Sequence, residues 1–546
     1  MRHRFALLAL ALAGVPSLAA AQELGGQIDK IFARVTGADR PGCAMAVARD
    51  GRPIYTHAYG MANLEYDAPN TEATIFESGS VAKQFTAAAI VLLAQQGKLS
   101  LEDDVRKYVP EVPSFGGAKI TIRHLLNHTS GLRDQWGLLD IEGRGPGTQV
   151  HSPATTLDLV AHQKSLNFPP GSEYLYSNTG YALLGIIVQR VSGQTLAAFT
   201  AAQLFRPIGM MHTSWRDDFT RVVKGRATAY SPAPEGGYRQ DMPFTNMIGN
   251  GGLLTTVGDL LLWNENLDAP KVGGRALVDS LQVRGKLTDG RTIDYALGVS
   301  VAAYRGVPEV SHSGATAGYR TYLVRYPTQH VSIAVLCNAG GANPVAAGHQ
   351  VADLVLASLA GAPAAAAPVT MSATPTELAK FAGVFRNART GELMELAVRN
   401  GKLMSPQRRG LPFVVVAPGR IKAGVADLAM DGAPGARTLR VTTAESGTET
   451  FAEMPPVPAG TSLAEYGGTY ASDELDVRLV IVAKKDALTV TRRPSDEVKL
   501  TPAYRDGFDA PGIGAVEFTR DAAGKVDGFA IFAGRVRGVR FSRVGN

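Results

Sequence analysis

A low-complexity run, Gly361-Ala362-Pro363-Ala364-Ala365-Ala366-Ala367-Pro368, separates two regions of different periodicity. Before it, helical and strand patterns are mixed. After it the helical patterns mostly vanish, and short alternating segments punctuated by Gly, Pro and Asp take over, as at Leu393–Arg399, Arg437–Thr442, Arg478–Val482 and Val536–Phe541. With 546 residues and 45% hydrophobic content, the chain is too long for one ordinary domain. The break therefore predicts a domain boundary, with a linker over 361–373.

In the first region, Cys43–Ala48 and Pro53–Tyr59 flank Asp50-Gly51, a hairpin signal. Val81–Gln96, closed by Gly97, reads as a buried helix, and Ile120–Asn127 and Thr179–Val191 follow with helical spacing. Strands return at Thr321–Tyr326 and Val331–Cys337. Strands at both ends with helices between them predict one sheet built from distant segments, plus a helical subdomain, over residues 22–360. In the tail, Leu378-Ala379-Lys380-Phe381-Ala382-Gly383-Val384-Phe385 resembles Leu463-Ala464-Glu465-Tyr466-Gly467-Gly468-Thr469-Tyr470. The repeat predicts two β-rich units, 374–457 and 460–546, each closing as a small barrel.

The start of the chain reads as a leader over residues 1–21: basic Arg2, His3 and Arg4, apolar Phe5–Val15, and Ala19-Ala20-Ala21 before Gln22. That order of parts predicts a periplasmic or secreted protein. No later stretch is long enough for a stable membrane span. The net charge of +6 comes with no Lys/Arg run interleaved with aromatics, so a nucleic-acid partner is not expected. Two cysteines, Cys43 and Cys337, cannot hold zinc alone, and with no His-Glu-x-x-His motif no metal or other cofactor is expected.

Three short motifs carry chemistry. Ser80-Val81-Ala82-Lys83 opens the first buried helix. A three-residue spacing puts both side chains on one face, and a lysine buried there loses basicity until it can accept a serine proton. Tyr176-Ser177-Asn178 follows a Pro-Pro-Gly turn. Tyr176 fits a proton relay, and Asn178 fits a hydrogen bond to Lys83 and the substrate, although Asn and Ser also simply cap helices. His312-Ser313-Gly314 precedes a strand. Gly314 lets substrate lie against that strand, and the N–H groups of Ser80 and Ala315 fit an oxyanion hole.

These motifs, in this order, resemble the β-lactamase and penicillin-binding serine hydrolases, and Tyr-x-Asn points to their class C-like branch. The resemblance covers roughly residues 25–360, including His124–Gly131 and Gly249–Leu260. It implies a five-stranded antiparallel sheet flanked by helices, with Cys43 and Cys337 on adjacent strands where a disulfide can form. It also implies an acyl-enzyme on Ser80, with Lys83 and Tyr176 sharing the base role in an order left open. Gln135 corresponds to a substrate-contacting glutamine. One hydrolase domain with two barrels resembles the D-aminopeptidases of the family, whose last barrel sends a loop into the site. Tyr504–Asp509 is the expected loop, with Asp506 or Asp509 on a substrate ammonium group. The implied substrates are small peptides, amides or esters. Carboxylesterase, D-alanyl-D-alanine carboxypeptidase and a non-catalytic penicillin-binding receptor are the alternatives, and the oligomeric state is open.

Overall fold

The computed structural model describes residues 18–357, 371, 373–405, 413–424, 426–443, 447–458, 460–485, 487–493 and 496–545. The expected leader lies outside these residues apart from 18–21, and so does the linker apart from 371 and 373.

Cys43-Ala44-Met45-Ala46-Val47 is apolar on both faces because helices cover both sides of the strand it forms. That strand, β1 (Cys43–Arg49), pairs with β2 (Arg52–Tyr59), and four later strands complete the sheet: β3 (Ser300–Tyr304), β4 (Val307–Thr316), β5 (Tyr319–Tyr326) and β6 (Val331–Cys337). The order is β3-β4-β5-β6-β1-β2, antiparallel throughout. The five strands expected are thus joined by a sixth, the half-exposed edge Ser300–Tyr304, whose small, weakly alternating residues give little strand signal.

Cys43, Met45 and Val47 join Tyr322, Val324, Ile333 and Val335 beneath α1 (Leu18–Ile31) and a helix over Pro344–Ala357. Ala44 and Ala46 face the larger core. There α2 (Lys83–Gln95), buried from Lys83 through Leu93, packs on α4 (Asn178–Ser192). Between them in sequence lies the short α3 (Gln135–Ile141). Cys43 stands opposite Cys337 in the β1–β6 register, and the two form a disulfide.

Eight strands from Gly383 to Glu453 form a nearly closed barrel, its ends bridged at Leu403 and Phe413. Eight more, from Gly468 to Arg543, close fully. The repeated octapeptide performs the same task in each: Phe381 and Phe385 fill the first core, Tyr466 and Tyr470 the second. The last strand starts at Val539 rather than Val536, because Ala533 and Val536 close a turn by exchanging backbone hydrogen bonds. The second barrel shares its core with Leu138, Leu139 and Ile141 of α3. Its Glu474 pairs with Arg133 in an interface where both are buried. The last barrel is therefore seated on the helical subdomain beside the helix that starts at Gln135.

Candidate active site

Ser80 sits in a single 3-10 turn, Gly79–Ala82, that runs directly into α2. Gly79 has φ +52, and a Cβ there would come within 2.6 Å of the Ala315 nitrogen. A Cβ on Gly314 would meet the Ser78 carbonyl at 2.0 Å and the Ser80 nitrogen at 3.1 Å. Both positions require glycine, because the serine turn and β4 touch backbone to backbone. The same contact brings the backbone nitrogens of Ser80 and Ala315 together.

One turn along, the Lys83 side chain is fully buried. Its Nζ lies 3.2 Å from Ser80 Oγ, 3.0 Å from Asn178 Oδ1 and 2.5 Å from the Asn250 carbonyl. Desolvation drives its pKa well below the usual lysine range; Asp134 opposes this and Arg535 adds to it. Asn178 begins α4, so its side chain projects from the helix start toward Lys83. Its backbone N–H and its Nδ2 both donate to Asp134 Oδ2, at 2.7 and 2.9 Å.

Tyr176 lies under Lys83, whose Nζ is 4.8 Å from the ring centre. Burial raises the phenol's pKa, while the neighbouring Ser80 hydroxyl and Arg535 pull it back. An aromatic wall backs this tyrosine: His128 lies 4.1 Å away, centre to centre, and Tyr295 6.1 Å. His128 Nδ1 accepts the Ser177 N–H at 3.1 Å, which anchors the Tyr-Ser-Asn segment. His312 is buried with its pKa pushed down to about 4, chiefly by desolvation and then by Lys83. Its ring is therefore neutral at pH 7, with Nδ1 donating to the Ser313 carbonyl at 2.6 Å and Nε2 accepting from Tyr295 Oη at 2.9 Å. Ser80, Tyr176, Asn178, Tyr295 and His312 open into a cavity of about 1970 Å³ whose walls come from the sheet, the helical subdomain and both barrels.

Ser80, Lys83, Tyr176, Asn178, His312, Gly314 and Ala315 thus converge. Two expected residues do not. Gln135 is the first residue of α3 and points inward: its Oε1 accepts from Thr156 Oγ1 at 2.6 Å and its Nε2 lies 2.9 Å from Met247 Sδ. Asp506 is held within its own barrel by Arg520 at 2.7 Å and Tyr466 Oη at 2.8 Å, so its carboxylate is already neutralised. Asp509 does line the cavity. The barrel loop that reaches Tyr176 is 533–538, in place of 504–509, and it brings the Arg535 guanidinium to 4.6 Å from the Tyr176 ring centre. Sequence reasoning also missed Asp134 and the Asn250 carbonyl. Asp134 carries only the generic signal of a helix cap, which it also is, through the Trp136 N–H.

Residues 28–358 match the family model described as Beta-lactamase. The D-aminopeptidase of Brucella anthropi is 28% identical over 526 residues, covering 92% of this chain and 95% of that protein. Among solved structures, the octameric penicillin-binding protein homologue from Pyrococcus abyssi aligns with a TM-score of 0.57 at 22% identity, over 86% of this chain and 97% of that one. The D-amino acid amidase from Ochrobactrum anthropi SV3 aligns with a TM-score of 0.53 at 22% identity, over 63% and 99%.

Proposed function

This chain belongs to the Beta-lactamase family and is a serine hydrolase of that family; we propose that it forms an acyl-enzyme on Ser80 and releases N-terminal D-amino acids from short peptides or amides. The observation that carries the mechanism is the environment of Lys83 Nζ. Two of its three neighbours, Asn178 Oδ1 and the Asn250 carbonyl, can only accept. A neutral amine has two protons to give them, and its lone pair is then left for the Ser80 hydroxyl. Lys83 is the first base on this reading, and burial favours its neutral form.

Ser80 Oγ attacks the carbonyl carbon as its proton passes to Lys83. The N–H groups of Ser80 and Ala315 receive the oxyanion. Tyr176, a protonated phenol at rest, hands a proton to the departing amine and recovers one from Lys83. Water then cleaves the acyl ester and frees the D-residue. The similarity to a D-aminopeptidase over nearly the whole of both chains supports this substrate class. Export to an oxidising compartment is part of the same proposal, supported by the leader pattern and the Cys43–Cys337 bridge. The test is intact-mass analysis after rapid quenching with D-alanine p-nitroanilide. A D-alanyl adduct mapping to the Ser80 peptide is expected; turnover with an adduct elsewhere, or unchanged turnover in Ser80→Ala, overturns the mechanism.

A further inference from the structure

Arg535 is the unusual charge in this cavity. The loop carrying it is pinned on both sides. Its carbonyl accepts the Asp134 N–H at 3.3 Å and Asn167 Nδ2 at 2.9 Å. Val536 is fully buried against α3, and Arg537 is held by Glu173 at 2.9 Å and by Asn167 Oδ1 at its backbone N–H. Between these anchors the Arg535 side chain stays exposed in the cavity wall and meets no carboxylate within ion-pair distance among the described residues. A guanidinium over an aromatic face is weakly solvated and fixed in direction, with its N–H fork still open.

On the opposite wall the basic side chains are already engaged with the protein. The His312 imidazole spends both nitrogens on Ser313 and Tyr295. Arg320 donates to the carbonyls of Ala317 and Tyr319. Lys83 is committed to Ser80 and its two acceptors. Position then indicates which part of the substrate Arg535 meets. Tyr176 faces the departing amine on the mechanism above, and Arg535 lies against Tyr176, so the guanidinium stands over the leaving group and not over the acyl residue.

We infer that Arg535 receives a carboxylate carried by the leaving group, so that the preferred substrates are dipeptides and other short peptides whose released amine bears a free carboxylate near the scissile bond. This rests on Ser80 and Tyr176 acting as proposed, and it narrows the D-aminopeptidase reading from amides in general to acids. A bidentate guanidinium–carboxylate contact of this kind is worth about tenfold or more in kcat/KM.

The test uses four esters and the full-length protein. D-alanine and N-acetyl-D-alanine are each esterified with 3-carboxyphenol and with 3-carbamoylphenol. The leaving-group comparison reads Arg535, and the acyl comparison separately reads the need for a free amino terminus. Wild type is expected to favour the 3-carboxyphenyl esters about tenfold or more on both acyl groups. In Arg535→Gln that ratio falls to about one, while any change the lost charge makes through Lys83 and Tyr176 is common to both esters and cancels in the ratio; Arg535→Lys restores part of it. The loop's anchoring uses the Arg535 backbone, so the variants keep the fold. A ratio near one in wild type, or one that survives Arg535→Gln, overturns the inference. Equal rates on D-alanyl and N-acetyl-D-alanyl esters would instead overturn the amino-terminal reading and leave Arg535's role standing.

Discussion

The Asp134 carboxylate accepts two hydrogen bonds from Asn178, from the backbone N–H at 2.7 Å and from Nδ2 at 2.9 Å. This fixes which way the Asn178 amide faces: with Nδ2 committed to Asp134, only Oδ1 can meet Lys83. Asp134 therefore governs the lysine without touching it. In Asp134→Ala the amide is free to turn, and kcat should fall about 10–100-fold with KM little changed. Asp134→Asn, which keeps an acceptor, should retain more activity. Steady-state kinetics of both variants check this, and a drop confined to KM would contradict it.

Lys83 makes stability depend on pH in a definite direction. Its pKa is depressed in the folded chain and near about 10.4 in the unfolded one, so between those values the unfolded state holds the extra proton. The cost of burying the charge is full below the folded pKa and disappears as pH rises to the unfolded value. Lys83→Met lacks this term. Its melting temperature relative to wild type should be most favourable at pH 6 and lose ground by pH 9, while kcat falls about 10²–10⁴-fold. Melts of both proteins across that range read the sign.

Arg133 is the buried tie between the helical subdomain and the last barrel. It donates to Glu474, to the Arg537 carbonyl at 2.8 Å and to Ser165. Glu474→Ala leaves that guanidinium uncompensated, at a cost of about 3–5 kcal/mol. Because Arg133 also holds the loop bearing Arg535, activity on carboxylate-bearing substrates should fall more than activity on neutral ones. Denaturant unfolding and the two substrate rates measure both effects.

The Cys43–Cys337 bridge joins neighbouring strands from residues 294 apart in sequence. Cys43→Ala with Cys337→Ala should lose about 2–4 kcal/mol of stability by releasing that constraint on the unfolded chain. Neither cysteine lines the cavity, so kcat should stay near wild type. Thermal melts with and without reductant should reproduce the same difference in the unmutated protein.

The legible part of the site was whatever sits at fixed spacing within one element. Ser80 and Lys83 share a helical turn, Tyr176 and Asn178 a helix start, and His312 and Gly314 one strand. Gln135 shows the limit of that logic. It adjoins the site in sequence, but the Asp134 cap spends its exposed direction one residue earlier and sends Gln135 inward. A backbone carbonyl such as that of Asn250 has no side-chain signature at all. Arg535 depends on how a barrel more than 350 residues downstream of Tyr176 is seated, which periodicity cannot reveal. The repeat and the alternation did indicate two barrels, yet the tip facing the site follows from Arg133, Glu474 and Val536 together, and a β-hairpin with an acidic tip was the more conspicuous candidate.

Whether Ser80 releases D-residues is decided by initial rates on D-alanine and L-alanine p-nitroanilide, with Ser80→Ala as the blank. Turnover of the D-form, little of the L-form, and loss of both in Ser80→Ala are expected. Equal or faster turnover of the L-form, or D-form turnover that survives Ser80→Ala, would contradict it.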